Sequence, residues 1–118
     1  MKKVLICDDS PTELIYLSSI LEQAQCDVIK SSDGDNLLAL AKQHKPDIIF
    51  LDIVMPGKDG YAACRDIIAD TETCQIPVIF VSSKGKRADR IWAQMQGAKD
   101  LIQKPYDSQA ILDKLLLI

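Results

Sequence analysis

Five short runs, each followed by a stretch of helical character, limit this chain to a narrow choice of folds. They are Lys3–Cys7, Asp27–Lys30, Asp47–Leu51, Pro77–Val81 and Asp100–Gln103. Runs of this length are too short for helices, and their Val and Ile content suits strands. The first, third and fourth are nearly continuous in apolar residues, as strands covered on both faces must be. The second is more polar and fits a sheet edge. Strands that alternate with helices imply a parallel sheet, because parallel neighbours need a long crossover and a helix supplies it.

The helices between the strands carry start and stop signals. Ser10 can cap the first, Pro11 suits its first position, and Glu13 stands where it would complete a capping box with Ser10. Leu14, Leu17, Leu21 and Ala24 then recur on one face. A second helix is expected from Asp35 to His44, stopping before Pro46. A third follows Gly60, a fourth covers Ala88 to Gln96 and ends at Gly97, and a fifth begins near Asp107. No repeat, linker or low-complexity segment interrupts them. Residues 1–118 therefore read as one (βα)5 domain.

Composition excludes several functions. The net charge of −3 gives no electrostatic basis for binding nucleic acid, which requires Lys and Arg to neutralise phosphates. No apolar run is long enough to span a membrane, and Asp8 and Asp9 end the apolar start too early for a signal peptide. A cytoplasmic location is expected. Cys7, Cys26, Cys64 and Cys74 lack the paired spacing of a zinc site, so reduced and mostly buried thiols are expected. His44 reads as an exposed helix-end residue, and Trp92 as partly buried helix packing. Gly57 and Gly60 permit tight turns. The closing Leu115–Ile118 is more apolar than one helix face needs, and core packing, a partner surface or the stump of a longer chain would each account for it.

The residues with chemical potential stand at strand ends. In open α/β sheets, sites form at the carboxyl ends of the strands. Those positions hold Asp8 and Asp9 after strand one, Asp52 after strand three, Ser82 and Ser83 after strand four, and Lys104 after strand five. Carboxylates packed together repel unless a cation or protons intervene. An oxygen-only donor set suits a hard divalent ion, and Mg2+ fits best because it takes carboxylates together with phosphate oxygens. Lys104 adds a fixed charge, and the Ser82 hydroxyl can donate a hydrogen bond to the same group. Aspartate can accept a phosphoryl group, and Asp52, alone at the end of the central strand, is the best placed to do so. Little more than positioning and charge neutralisation is then required of the protein.

Four segments, in order and spread over the whole chain, resemble the receiver domains of two-component response regulators. They are Asp8-Asp9-Ser10, Leu51–Gly60, Val81-Ser82-Ser83 and Lys104-Pro105. The resemblance implies a flavodoxin-like, doubly wound sheet of order 2-1-3-4-5. It implies that Asp52 accepts phosphate from a histidine kinase or phosphotransfer domain. Asp8, Asp9, Asp52 and the Val54 backbone carbonyl would hold Mg2+, and Ser82 and Lys104 would respond to the phosphoryl group. It further implies a signalling switch, monomeric or weakly dimeric, that docks on a partner protein through its fourth helix, fifth strand and fifth helix, or drains phosphate from a shared kinase. Asp8–Glu13 and Ile91–Asp100 look like the stand-alone receivers of twitching-motility (type IV pilus) chemotaxis systems.

The chain departs from that family in two places. Receivers commonly carry Tyr or Phe three residues before the Lys-Pro pair, and here Leu101 stands there. With no ring to rotate, the usual aromatic switch cannot operate as written. Val54 and Lys84, two residues after Asp52 and Ser82, occupy positions that tune dephosphorylation in the family. Val54 has no group to orient an attacking water, so slow autodephosphorylation is expected. Three other readings compete. A phosphorylation-independent pseudo-receiver is kept open by Leu101. A small Mg2+-dependent phosphatase would need a cap that this length does not supply. A flavodoxin-like electron carrier would need a glycine- and hydroxyl-rich phosphate loop where Asp8-Asp9 stands.

Overall fold

The computed structural model describes every residue from Met1 to Ile118. Strands β1 (Lys3–Cys7), β2 (Asp27–Ser31), β3 (Ile48–Leu51), β4 (Val78–Ser82) and β5 (Asp100–Gln103) form one parallel sheet in the order β2-β1-β3-β4-β5. Helices α1 (Pro11–Gln23), α2 (Leu37–His44), α3 (Gly60–Ala69), α4 (Arg87–Met95) and α5 (Ser108–Lys114) connect and follow them, and a 3-10 turn over Leu115–Leu117 closes the fold.

Alternation along each strand divides the core into two layers. Leu5, Ile49, Leu51 and Phe80 face α2, α3 and α4, where they meet Leu37, Ala41, Ile67 and Ala93. Val4, Ile6, Phe50 and Ile79 face the opposite way, onto Leu17 and Leu21 of α1 and Ile111 of α5. Burying each of the larger side chains contributes roughly 1.5–3 kcal/mol. Strand β3 is buried along its whole length, which fixes the position of whatever follows it. Strand β2 forms an edge, with Asp27 and Lys30 exposed and Val28 and Ile29 half-buried. From β1 the chain runs outward to β2 and then returns to β3 on the other side of β1. The crevice between the carboxyl ends of β1 and β3 is therefore the switch point at which such sheets place their sites.

The element boundaries differ from expectation for local reasons. Helix α2 begins at Leu37, not Asp35, because the Asp33 carboxylate accepts from the Asn36 backbone N–H at 2.9 Å and holds those residues in a turn. On α1, Ile20 takes an inward place beside Leu17 and Leu21, and Ala24 is the exposed C-cap. His44, the last residue of α2, is half-buried. Trp92 is about half exposed, with its ring edge-on to Tyr61 at 6.3 Å. Cys7, Cys26 and Cys64 are buried free thiols and Cys74 is exposed. No helix is long and apolar enough to cross a membrane.

Candidate functional site

The loops after β1 and β3 bring three acids together. Asp8 and Asp52 are buried and Asp9 is exposed, and each offers a carboxylate oxygen within 4.8 Å of the others. Backbone pairing holds the frame: the Asp52 N–H donates to the Cys7 carbonyl at 2.9 Å, and the Asp8 N–H donates to Ser31 at 3.2 Å. Helix α3 can start close behind Asp52 only because Gly60 has no side chain. A Cβ there would lie 2.1 Å from the Asp52 carbonyl oxygen. Gly57, at φ +73°, turns the β3–α3 loop in a conformation other residues rarely adopt.

Lys104 enters from the end of β5, through a loop whose Lys104–Pro105 bond is cis. Its ammonium lies 2.8 Å from Asp8, 3.6 Å from Asp52 and 3.8 Å from Glu13. The Lys104 backbone N–H donates to the Ser82 carbonyl at 2.8 Å, which ties the fifth loop to the fourth. Ser82 is completely buried, and its hydroxyl oxygen accepts from the Lys84 N–H at 3.2 Å, leaving its O–H free to donate. The Val54 side chain points into solvent and presents no polar atom there.

Burial, followed by the charge of Asp8, pushes the Asp52 carboxyl up to about 6, against the opposing pull of Lys104. Burial pulls the Lys104 ammonium down, but its hydrogen bond to Asp8 and the charges of Asp52, Asp8 and Glu13 outweigh this and hold it above its usual value. One ammonium does not neutralise three neighbouring carboxylates. The residual negative charge and the oxygen-only donor set fit a hard divalent cation at Asp8, Asp9 and Asp52.

Leu101 is buried in the layer beneath α4, and its carbonyl accepts from the Arg90 guanidinium at 2.8 Å. It acts as a core residue and a backbone anchor. The Cys7 thiol sits beside the site but donates to the Asp33 carbonyl, and burial pushes it up to about 12, so it is no nucleophile at neutral pH.

The capping box expected of Ser10 and Glu13 is only half formed. The Ser10 hydroxyl oxygen accepts from the Glu13 N–H at 3.4 Å, but the Ser10 N–H donates to Asp8 at 3.0 Å. With that donor taken, the Glu13 carboxylate turns toward Lys104 instead. In the sequence, Glu13 reads as a helix cap alone. The available signal was its place in the first turn of the helix that leaves the β1 end, beside the site.

Residues 4–116 match the response regulator receiver domain family. The chain is 45% identical over 112 residues to protein PilH of Pseudomonas aeruginosa, spanning 95% of this chain and 93% of that one. The chemotaxis protein CheY4 of Vibrio cholerae shares the fold with a TM-score of 0.93 at 24% identity, over 100% of this chain and 98% of the other. CheY in the CheX–CheY–BeF3–Mg2+ complex of Borrelia burgdorferi superposes with a TM-score of 0.91 at 30% identity, over 98% and 87% of the two chains. Receiver domains bind Mg2+ at an acidic pocket and act as signalling switches between histidine kinases and downstream targets. With its β2-β1-β3-β4-β5 sheet and its acidic cluster at the switch point, the chain belongs to the response regulator receiver family and is similar to the pilus proteins PilH and PilG.

Proposed function

We propose that this chain is a phosphorylation-controlled binding switch whose phosphoacceptor is Asp52. The observation that carries this reading is the convergence of Asp8, Asp9 and Asp52 within 4.8 Å, with the Lys104 ammonium 3.6 Å from Asp52. One Asp52 oxygen attacks the phosphorus of a phosphohistidine on a kinase or phosphotransfer domain. The new P–O bond forms as the P–N bond breaks, and the imidazole leaves with that electron pair. Mg2+, held by Asp8, Asp9, Asp52 and the Val54 carbonyl, would supply the positive charge that lets carboxylate and phosphoryl oxygens approach. Lys104 pairs with the phosphoryl oxygens, and the buried Ser82 hydroxyl donates to them.

The phosphorylated form then docks on a protein target across α4, β5 and α5, or serves as a sink for a shared kinase. That face carries a groove of about 460 Å³, lined by Arg90, Leu101, Gln103, Tyr106 and Lys114 among others. Val54 contributes no water-orienting group, which supports slow hydrolysis of the phosphorylated state. Incubation with acetyl phosphate and Mg2+, read by intact mass, tests the acceptor. The wild type gains one phosphoryl group and Asp52→Ala gains none. An equal adduct on both would refute the assignment.

A further inference from the structure

We infer that Glu13 is a positioning residue that competes with the phosphoryl group for Lys104 and so sets the rate at which Asp52 is charged. The inference rests on the reading of Asp52 as the phosphoacceptor. Glu13 lies in the first turn of α1, and the Ser10 N–H that a capping box would give it already belongs to Asp8. Its carboxylate stands 3.8 Å from the Lys104 ammonium, on a half-exposed side chain. Lys104 is therefore shared among Asp8 at 2.8 Å, Asp52 at 3.6 Å and Glu13 at 3.8 Å.

The three partners do not compete on equal terms. Asp8 and Asp52 are the acids expected to engage a bound cation, so both loosen their hold on Lys104 when one arrives. Glu13 is outside that cluster and keeps its attraction. It is also held in register. One helical turn on, the Tyr16 hydroxyl donates to the Tyr106 carbonyl at 2.9 Å, and the two rings sit 5.3 Å apart. Tyr106 follows Lys104 by two residues, so α1 is fastened to the very segment that carries the lysine. A lysine drawn toward Glu13 is less available to an incoming phosphoryl group.

The kinetic consequence depends on the step. When acetyl phosphate reacts, an Asp52 oxygen forms a bond to phosphorus, the P–O bond to the acetyl group breaks, and acetate leaves with the electron pair. Here the contact from Lys104 is gained on the way to the transition state. During hydrolysis the phosphoryl group already has that contact before water attacks, so strengthening it changes little.

The test compares wild type, Glu13→Gln, Lys104→Gln and the double variant, with acetyl phosphate and saturating Mg2+. Glu13→Gln is expected to raise the second-order rate constant of phosphorylation roughly two- to fivefold, the scale of a partly exposed ion pair. The decay rate of the phosphorylated form stays within about twofold. The gain shrinks in high salt and vanishes in the Lys104→Gln background. Equal phosphorylation rates for wild type and Glu13→Gln overturn the inference, as does a gain that persists without Lys104. Parallel loss of phosphorylation rate and thermal stability would mark Glu13 as merely structural and also overturn it. No adduct on the wild type would instead defeat the phosphoacceptor reading, and this one with it.

Discussion

Lys104 and Asp8 are 96 residues apart in sequence, yet their charged groups meet at 2.8 Å, closer than the 3.6 Å between Lys104 and Asp52. The lysine thus leans on a carboxylate expected to hold the cation, and away from the acceptor. Both groups are largely buried, so the two opposite charges offset one another where water cannot screen them.

Removing the lysine should expose that dependence. Lys104→Met leaves Asp8 and Asp52 repelling one another in a buried site, and is expected to lower stability in chelator by about 2–3 kcal/mol. A divalent cation replaces the missing charge, so the deficit narrows in Mg2+. Urea unfolding of both proteins with and without Mg2+ checks this, and an equal deficit in both conditions would argue against it.

Asp52 should make metal-free stability depend on pH. Its carboxyl is pushed from 3.8 up to about 6 in the folded chain, first by burial and then by Asp8. The folded state therefore holds its proton more tightly than the unfolded state. Stability falls as pH rises from about 4 to about 6 and stays lowered above that, by an amount on the order of 2–3 kcal/mol. Asp52→Asn removes this cost. In chelator at pH 7.5 the variant is expected to melt about 5 °C or more above wild type, with the gap closing toward pH 4. A wild type that melts higher at pH 7.5 would contradict this account.

Leu101 should matter for packing more than for phosphotransfer. It is 3% exposed, and its backbone carbonyl is held by Arg90. Leu101→Ala leaves a cavity and is expected to cost about 2–4 kcal/mol while phosphorylation by acetyl phosphate stays within about twofold. Loss of phosphorylation in a still-folded variant would place Leu101 in the switch itself.

The exposed side chain of Val54 makes the lifetime of the phosphorylated state adjustable. Val54→Asn leaves the backbone carbonyl in place and adds a group able to orient water, so decay is expected to quicken roughly tenfold. Wild-type decay within a few seconds, followed by loss of the mass adduct, would count against the slow hydrolysis expected of Val54.

The fold was legible because the buried strands are nearly unbroken apolar runs, and a polar β2 marked its own place at the edge. Asp8, Asp9 and Asp52 were legible because strand ends converge in such a sheet, and the structure brings all three together with Lys104. What escaped was decided by competition for single donors. Asn36 gave its N–H to Asp33, which delayed α2, and Ser10 gave its N–H to Asp8, which freed Glu13. Both hydrogen bonds are short-range, but each has a rival acceptor that only the folded geometry ranks. The fastening of α1 to Tyr106 through Tyr16 was equally hidden, since it spans 90 residues and follows no periodicity.

The central claim is that the phosphoryl group sits on Asp52. Borohydride reduction of the protein treated with acetyl phosphate and Mg2+ converts an acyl phosphate at aspartate to homoserine, and peptide sequencing by mass spectrometry then locates it. The account predicts homoserine at position 52 alone. Homoserine at position 8 or 9, or none in a protein that carries the phosphate adduct, would contradict it.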